Sequence, residues 1–292
     1  MTSGILNVNK PLGPSSFAVV RNVRRLPGVV KAGHGGTLDP AADGVLPILI
    51  NGATRVAEFV HEWPKTYVAT VTFGFTSDTG DREGTITPAG DPASITPARI
   101  EAALPAFTGR IEQVPPLYSA LKQGGEALYR KARRGEQVER KARPVEIHAI
   151  RLLDYDAGAA VARLEVSSGR GMYVRSLAHD LGSALGTGAY LSGLTRTAVG
   201  PLTVGDAVPM ATLTSAGEGW ARWLLPTDLP LRNWPAVDLD AAGVLAVRRG
   251  QAVPAPNTTG GRYRLLGPDG DLLAWGEADA MRRIQPRAVF LS

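Results

Sequence analysis

Twelve residues constrain this chain more than any others: Gly33-His34-Gly35-Gly36-Thr37-Leu38-Asp39-Pro40-Ala41-Ala42-Asp43-Gly44. Its four glycines require backbone conformations that side chains forbid, or the close approach of another molecule. The string lacks the Gly-Lys-Ser/Thr ending of a P-loop and the spacing of a dinucleotide fingerprint, so neither nucleotide-binding fold is indicated. Asp39 is the first acid in the chain, and Pro40 restrains it to an extended conformation. The pattern admits two readings: a turn carboxylate that caps the residues after it, or a carboxylate reserved for chemistry.

The rest of the chain reads as strands and helices without a regular βα alternation. Glycine (34) and proline (22) are frequent, which indicates many turns and several strands rather than a helical bundle. Ser15-Ser16 open an amphipathic helix with Phe17, Val20 and Val23 on its apolar side and Arg21, Arg24 and Arg25 on its polar side. Residues 66–74 are β-branched and aromatic and read as a strand, and residues 161–168 read as another. Thr96-Pro97 is an N-cap followed by a first-turn proline. Leu177, Leu181 and Leu185 form one helical stripe closed by Gly186. Near the end, Arg262–Leu266 and Leu272–Trp275 flank Gly267-Pro268-Asp269-Gly270-Asp271, a hairpin signal. The order of elements predicts an α+β fold. Pro226, Pro230 and Pro235 mark the expected boundary, between a domain at 1–232 and a small unit at 236–292.

Composition excludes several chemistries. With no cysteine there are no disulfides, no cysteine-ligated zinc, no iron–sulfur cluster and no thiol nucleophile. His34, His61, His148 and His179 are scattered without metal-ligand spacing, so no metal is expected. The longest apolar run, Val45–Ile50, is too short to span a bilayer, and the first residues lack a secretory pattern. No membrane association is expected, and a cytoplasmic protein is the default.

Charge is concentrated. Residues 1–38 hold five bases and no acid, and residues 122–143 hold eight bases and three acids. The remaining residues hold 19 bases and 24 acids, so the two basic segments carry the entire positive excess of +5. That footprint suits a nucleic-acid binder, or a pair of solvated helix faces. Tyr118 and Tyr129 interleave with Lys122, Arg130, Lys131, Arg133 and Arg134, a mixture that neutralises phosphate and stacks bases. Gly169-Arg170-Gly171-Met172-Tyr173-Val174-Arg175 reads as a surface turn or as an anion site, its anion a phosphate or a carboxylate such as Asp39.

These strings together resemble the TruB family of tRNA pseudouridine synthases. GHGGTLDPAADGVLPILINGATR is similar to the family's G-H-x-G-T-L-D-P-x-A-x-G-x-L-x-x-x-x-G-x-A-T. Gly4 through Ser16, Lys65-Thr66-Tyr67, Thr76 through Gly84, Pro115 through Gly135, Gly171 through Arg175 and Leu194 through Gly200 resemble its other motifs. Arg249–Val253 is loosely similar to its small PUA-type RNA-binding domain. Gly35 and Asp43 depart from the family, which usually has threonine at both positions.

The resemblance implies a catalytic domain with a mixed, largely antiparallel sheet and flanking helices. A basic insert at about 108–144 and a β-rich PUA-like C-terminal unit would complete it. It implies isomerisation of uridine to pseudouridine at position 55 in the T-stem loop of tRNA, by a monomer without cofactor or metal. Asp39 would be the nucleophile at C1′, or would assist elimination to a glycal. Arg175 would pair with Asp39, and Tyr67 would lie against the extruded uracil. Leu194 would help close the pocket, Tyr173 would bind substrate, and His34 would fill the space the flipped base leaves. Lys10, Lys122, Arg130 and Arg133 would hold phosphates. Two rivals remain at this stage, an RNA-guided relative of the same catalytic type and a non-catalytic RNA-binding protein. The basic insert argues against the first, and the set of Asp39, Tyr67 and Arg175 against the second.

Overall fold

The computed structural model describes residues 2–119, 122–124, 126–127, 134, 136, 138–255 and 257–290. Most strands join one eleven-stranded sheet. Its main members are β1 (Gly4–Lys10), β2 (Ala32–His34), β3 (Ala42–Ile50), β4 (Lys65–Phe73), β5 (Gly109–Gln113), β6 (Arg143–Asp156), β7 (Val161–Ser168) and β8 (Ala189–Val199). From Val208–Pro209 at one edge, the order runs β1, β3, β8, β4, β7, β6, β5. Most neighbours are antiparallel, but β3 and β8 pair parallel at the centre, with Leu194 beside Ala42 and Arg196 beside Gly44. This is the mixed, largely antiparallel α+β architecture the resemblance implied. Gly44 (φ +100°) permits that central pairing, because a Cβ there would collide with the backbone of Arg196.

Alternation along β4 turns Ala69, Val71 and Phe73 into the main core, with Tyr67 at its margin. There they meet Ala162, Leu164 and Val166 of β7 and the stripe Leu177, Leu181 and Leu185 of the helix Val174–Ala184. Each valine, leucine or phenylalanine among them, fully buried, contributes ~1.5–3 kcal/mol. Thr96 caps Pro97–Ala103 by accepting from Arg99 N at 3.2 Å, as its sequence predicts.

Helix α1 (Ser16–Val23) departs from expectation. Ser15 caps it, accepting from Ala18 N, but the core face is Val19, Val20 and Val23. Phe17 points outward, 69% exposed. The reason is Ser16. Its buried hydroxyl accepts from Leu38 N (2.7 Å) and donates to Leu38 O (2.9 Å). That tether takes the inward position, and the next residue, about 100° further round the helix, faces solvent.

Beyond Pro235 lies a five-stranded sheet, ordered Ala236–Asp238, β9 (Gly261–Leu266), β10 (Leu272–Ala278), β11 (Arg283–Val289) and Val253–Pro254. The β9–β10 hairpin closes through Gly267 N to Asp271 O (2.9 Å), as predicted. This unit packs on the large sheet through edge-to-face rings. Phe59, on the helix Ala57–Glu62 that lines the sheet's core, meets Trp275 of β10 at 5.2 Å and Trp234, just before the unit, at 4.8 Å. Among the described residues, no helix is long and apolar enough to cross a membrane.

Candidate active site

The loop Gly35–Ala41 reaches the centre of the sheet where β3 and β8 run parallel. Two buried cations fasten it. Arg196, 1% exposed, donates from Nε to Val45 O (2.7 Å) and from its terminal nitrogens to Thr37 O (3.0 Å) and Gly36 O (3.1 Å). Lys10, 0% exposed, donates to Ala42 O (2.6 Å) and Pro11 O (2.9 Å). The carbonyls on both sides of Asp39 are thereby held, and Asp39 O accepts from Ala42 N to close the turn. Burial lowers the pKa of Arg196, against the neighbouring Tyr67 hydroxyl and the Asp39 carboxylate, which raise it. Burial likewise pushes Lys10 down to about 8, opposed by Asp43 and Asp39. Lys10 was expected to hold phosphate. Its ammonium has no exposed surface and its bonds go to carbonyls, so what it holds is the loop.

The Asp39 carboxylate emerges from this mount, 41% exposed, and meets Arg175 at 2.9 Å. Arg175 itself is 6% exposed and heavily tied. It donates to Tyr118 O (2.9 Å) and Thr79 O (3.1 Å), and Asp81 lies at 3.6 Å. The Asp81 carboxylate accepts from the Thr79 hydroxyl (2.7 Å) and Glu83 N (3.0 Å), which aim it at the guanidinium. A planar fork can serve several acceptors in fixed directions at once, which a point charge cannot.

Arg175 opens the helix Val174–Ala184, and Gln113 sets that helix start. The Gln113 amide donates to Tyr173 O (3.1 Å) and accepts from Tyr173 N (2.8 Å), while Ser176 donates to Val114 O. Asp39 and Arg175 then border a cavity of about 170 Å³ lined also by Tyr67, Tyr173, Met172, Ser119 and Leu194. That is smaller than the ~300–1,000 Å³ of a drug-sized pocket, so it suits a fragment such as one base. Burial raises the Tyr173 phenol above its ordinary pKa, which keeps it neutral.

Asp39, Arg175, Tyr67, Tyr173 and Leu194 therefore meet at one cavity. His34 does not line it. It sits on β2, its pKa lowered by burial and then by His61 and Arg196, so the imidazole is neutral. Arg130 and Arg133 lie outside the described residues, and only the backbone of Lys122, in a short strand with Gln123, is described. Arg134 is exposed and paired with Glu126 and Glu136, both at 2.7 Å. The glycine at position 35 is explained by packing, since an added Cβ would strike Val60. Arg196 and Gln113 were not singled out from the sequence. Arg196 lies within a motif string, but its burial depends on strand register, and no local pattern marks Gln113.

Arg196→Lys is expected to destabilise the fold by about 2–4 kcal/mol, because a single shorter-reaching ammonium cannot span Val45 O, Thr37 O and Gly36 O as the planar fork does, and each orphaned acceptor costs ~1–3 kcal/mol. Urea unfolding checks this, and a loss under 1 kcal/mol would mean that the loop is held otherwise.

Three family models match most of the chain. One described as TruB family pseudouridylate synthase (N terminal domain) matches residues 24–174. The tRNA pseudouridylate synthase B C-terminal domain matches 175–232, and Pseudouridine synthase II TruB, C-terminal, matches 235–290. The tRNA pseudouridine synthase B of Syntrophomonas wolfei is 42% identical over 294 residues, covering 98% of each chain. That of Aromatoleum aromaticum is 41% identical over 99% of this chain and 93% of its own. Among solved structures, a Cbf5-Nop10-Gar1 complex matches with a TM-score of 0.73 and 27% identity, over 99% of this chain and 85% of that one. An H/ACA RNP bound to a substrate RNA containing 2′-deoxyuridine matches with the same score at 26% identity. With models along most of its length and relatives above 40% identity from end to end, this chain belongs to the TruB family of pseudouridylate synthases.

Proposed function

We propose that the protein isomerises uridine to pseudouridine in tRNA, that its target is the T-stem loop uridine at position 55, and that Asp39 carries the reaction. The observation that supports this most is the Asp39–Arg175 pair at the mouth of a base-sized cavity walled by two tyrosines and a leucine. The reaction breaks N1–C1′, turns the uracil, forms C5–C1′, and exchanges a proton on C5 for one on N1. Nothing is oxidised and no group is transferred to another molecule.

A carboxylate against the ribose serves either opening step, attack at C1′ or removal of a sugar proton to give a glycal. Arg175 pairs with that carboxylate and points it. Tyr67, Tyr173 and Leu194 hold the extruded uracil between flat and apolar walls, returning part of the few kcal/mol that flipping costs. His34, neutral and close to the loop, is suited to the space the base vacates.

Full-length relatives named tRNA pseudouridine synthase B favour a stand-alone enzyme; in this reading it acts as a monomer, and the basic insert and a PUA-like unit at 236–292 grip the RNA. The test is purified protein with an unmodified tRNA transcript and no other component, assayed for pseudouridine at each uridine. Conversion confined to the T-loop position supports the reading. No conversion without a guide RNA, or conversion elsewhere only, would overturn it.

The insert makes its own prediction. Each phosphate contact removed lowers the slope of log affinity against log salt by ~0.7–0.9. Neutralising Arg130, Lys131 and Arg133 together should lower it by about two units and barely change turnover of bound tRNA. Arg134 already serves two glutamates and is left out. An unchanged slope would mean a solvated face.

A further inference from the structure

Helix α1 carries a feature that neither the core nor the cavity uses. Phe17 is 69% exposed, and Leu12, just before the helix, is 46% exposed. Both belong to the segment bonded directly to the Asp39 loop. Gly13 N donates to Pro40 O (2.9 Å), and the Ser16 hydroxyl holds both the N–H and the carbonyl of Leu38. Phe17 is thus one residue from Ser16, whose bonds end one residue from Asp39. Phe17, Arg21 and Arg24 stand at i, i+4 and i+7, so they share one stripe of the helix surface, and both arginines are exposed. Residues 1–38 contain no acid that could pair with them.

From this juxtaposition we infer that Phe17 is a stacking platform for a nucleotide adjoining the target uridine, with Arg21 and Arg24 holding the phosphates beside it. The inference rests on the function proposed above. Extruding one base leaves its neighbour without a stacking partner, and RNA loops are read through such splayed bases laid on aromatic faces. An exposed ring beside the carboxylate loop meets that need, and the arginines at one and two turns further supply the backbone charge. A ring facing water also gains nothing for the fold. Its exposure therefore calls for a partner with a flat face and a negative backbone.

The test is binding of a T-stem loop RNA, measured at several salt concentrations and without reference to turnover. Phe17→Ala should raise Kd about 5- to 150-fold, the span of ~1–3 kcal/mol for one base–aromatic stack, with the salt slope and the melting temperature unchanged. Phe17→Trp should bind within about twofold of wild type, and Phe17→Leu should not. An abasic nucleotide next to the target should erase the difference between wild type and Phe17→Ala, which localises the contact. Arg21→Ala with Arg24→Ala should lower the slope by about 1.4–1.8. The platform is overturned if Phe17→Ala binds as wild type does, if leucine replaces phenylalanine fully, or if the abasic RNA keeps the difference. An unchanged slope in the double arginine variant overturns the phosphate half. Because every readout is an affinity, failure here is distinct from a failure of the wild-type protein to make pseudouridine.

Discussion

Asp39→Asn is expected to bind tRNA within about tenfold of wild type, or ~1.4 kcal/mol, and to make no pseudouridine. The substitution keeps the shape and an oxygen acceptor facing Arg175 but removes the charge on which the proposed reaction depends. The architecture should survive, because Arg175 is also bonded to Thr79 O and Tyr118 O and faces Asp81. The loop should keep its course, since Lys10 and Arg196 hold its carbonyls and not its carboxylate. The measurement pairs a Kd with a single-turnover assay at saturating enzyme. Measurable turnover by this variant would remove Asp39 from the chemistry, and a large loss of binding would make it a recognition residue.

Arg175→Lys keeps a positive charge yet should lower the single-turnover rate at least about thirtyfold, on the order of 2 kcal/mol or more. In wild type the guanidinium spans Asp39, Tyr118 O and Thr79 O in three directions while only 6% exposed. An ammonium on a shorter reach cannot span them, so either a carbonyl is left unbonded or Asp39 loses its partner. The exposure of Asp39 moderates the loss, since solvent competes with the pair. RNA affinity should change only a few-fold, because Arg175 is only 6% exposed at the cavity wall and lysine keeps the positive charge there. A rate near wild type would show that Asp39 needs no guanidinium to point it.

Much of this was legible in order of residues. Residues 66–73 form a strand, Thr96-Pro97 starts a helix, and Gly267–Asp271 turns a hairpin, because each follows from local sterics and hydrogen bonding. The Asp39 string and the Arg175 string were each visible as unusual, and resemblance to a family joined them. Their meeting at 2.9 Å depends on the parallel pairing of β3 with β8 and on Gln113 setting the start of a helix 60 residues further on.

What the sequence by itself determined was part of the set of elements, the α+β class, the absence of thiol chemistry and the unusual character of the Asp39 and Arg175 strings. Each rests on one residue's chemistry or on contacts a few positions apart. Tertiary structure decided which side chains face solvent. Lys10 looked like a phosphate ligand and is wholly buried, because β1 lies inside a sheet and the loop's carbonyls needed a donor. Arg196 took a comparable place between β3 and β4. Phe17 looked like core and is exposed, because a serine one position earlier found Leu38 and turned the helix. A periodicity gives the width of a helix face, but contacts from distant parts of the chain choose its direction.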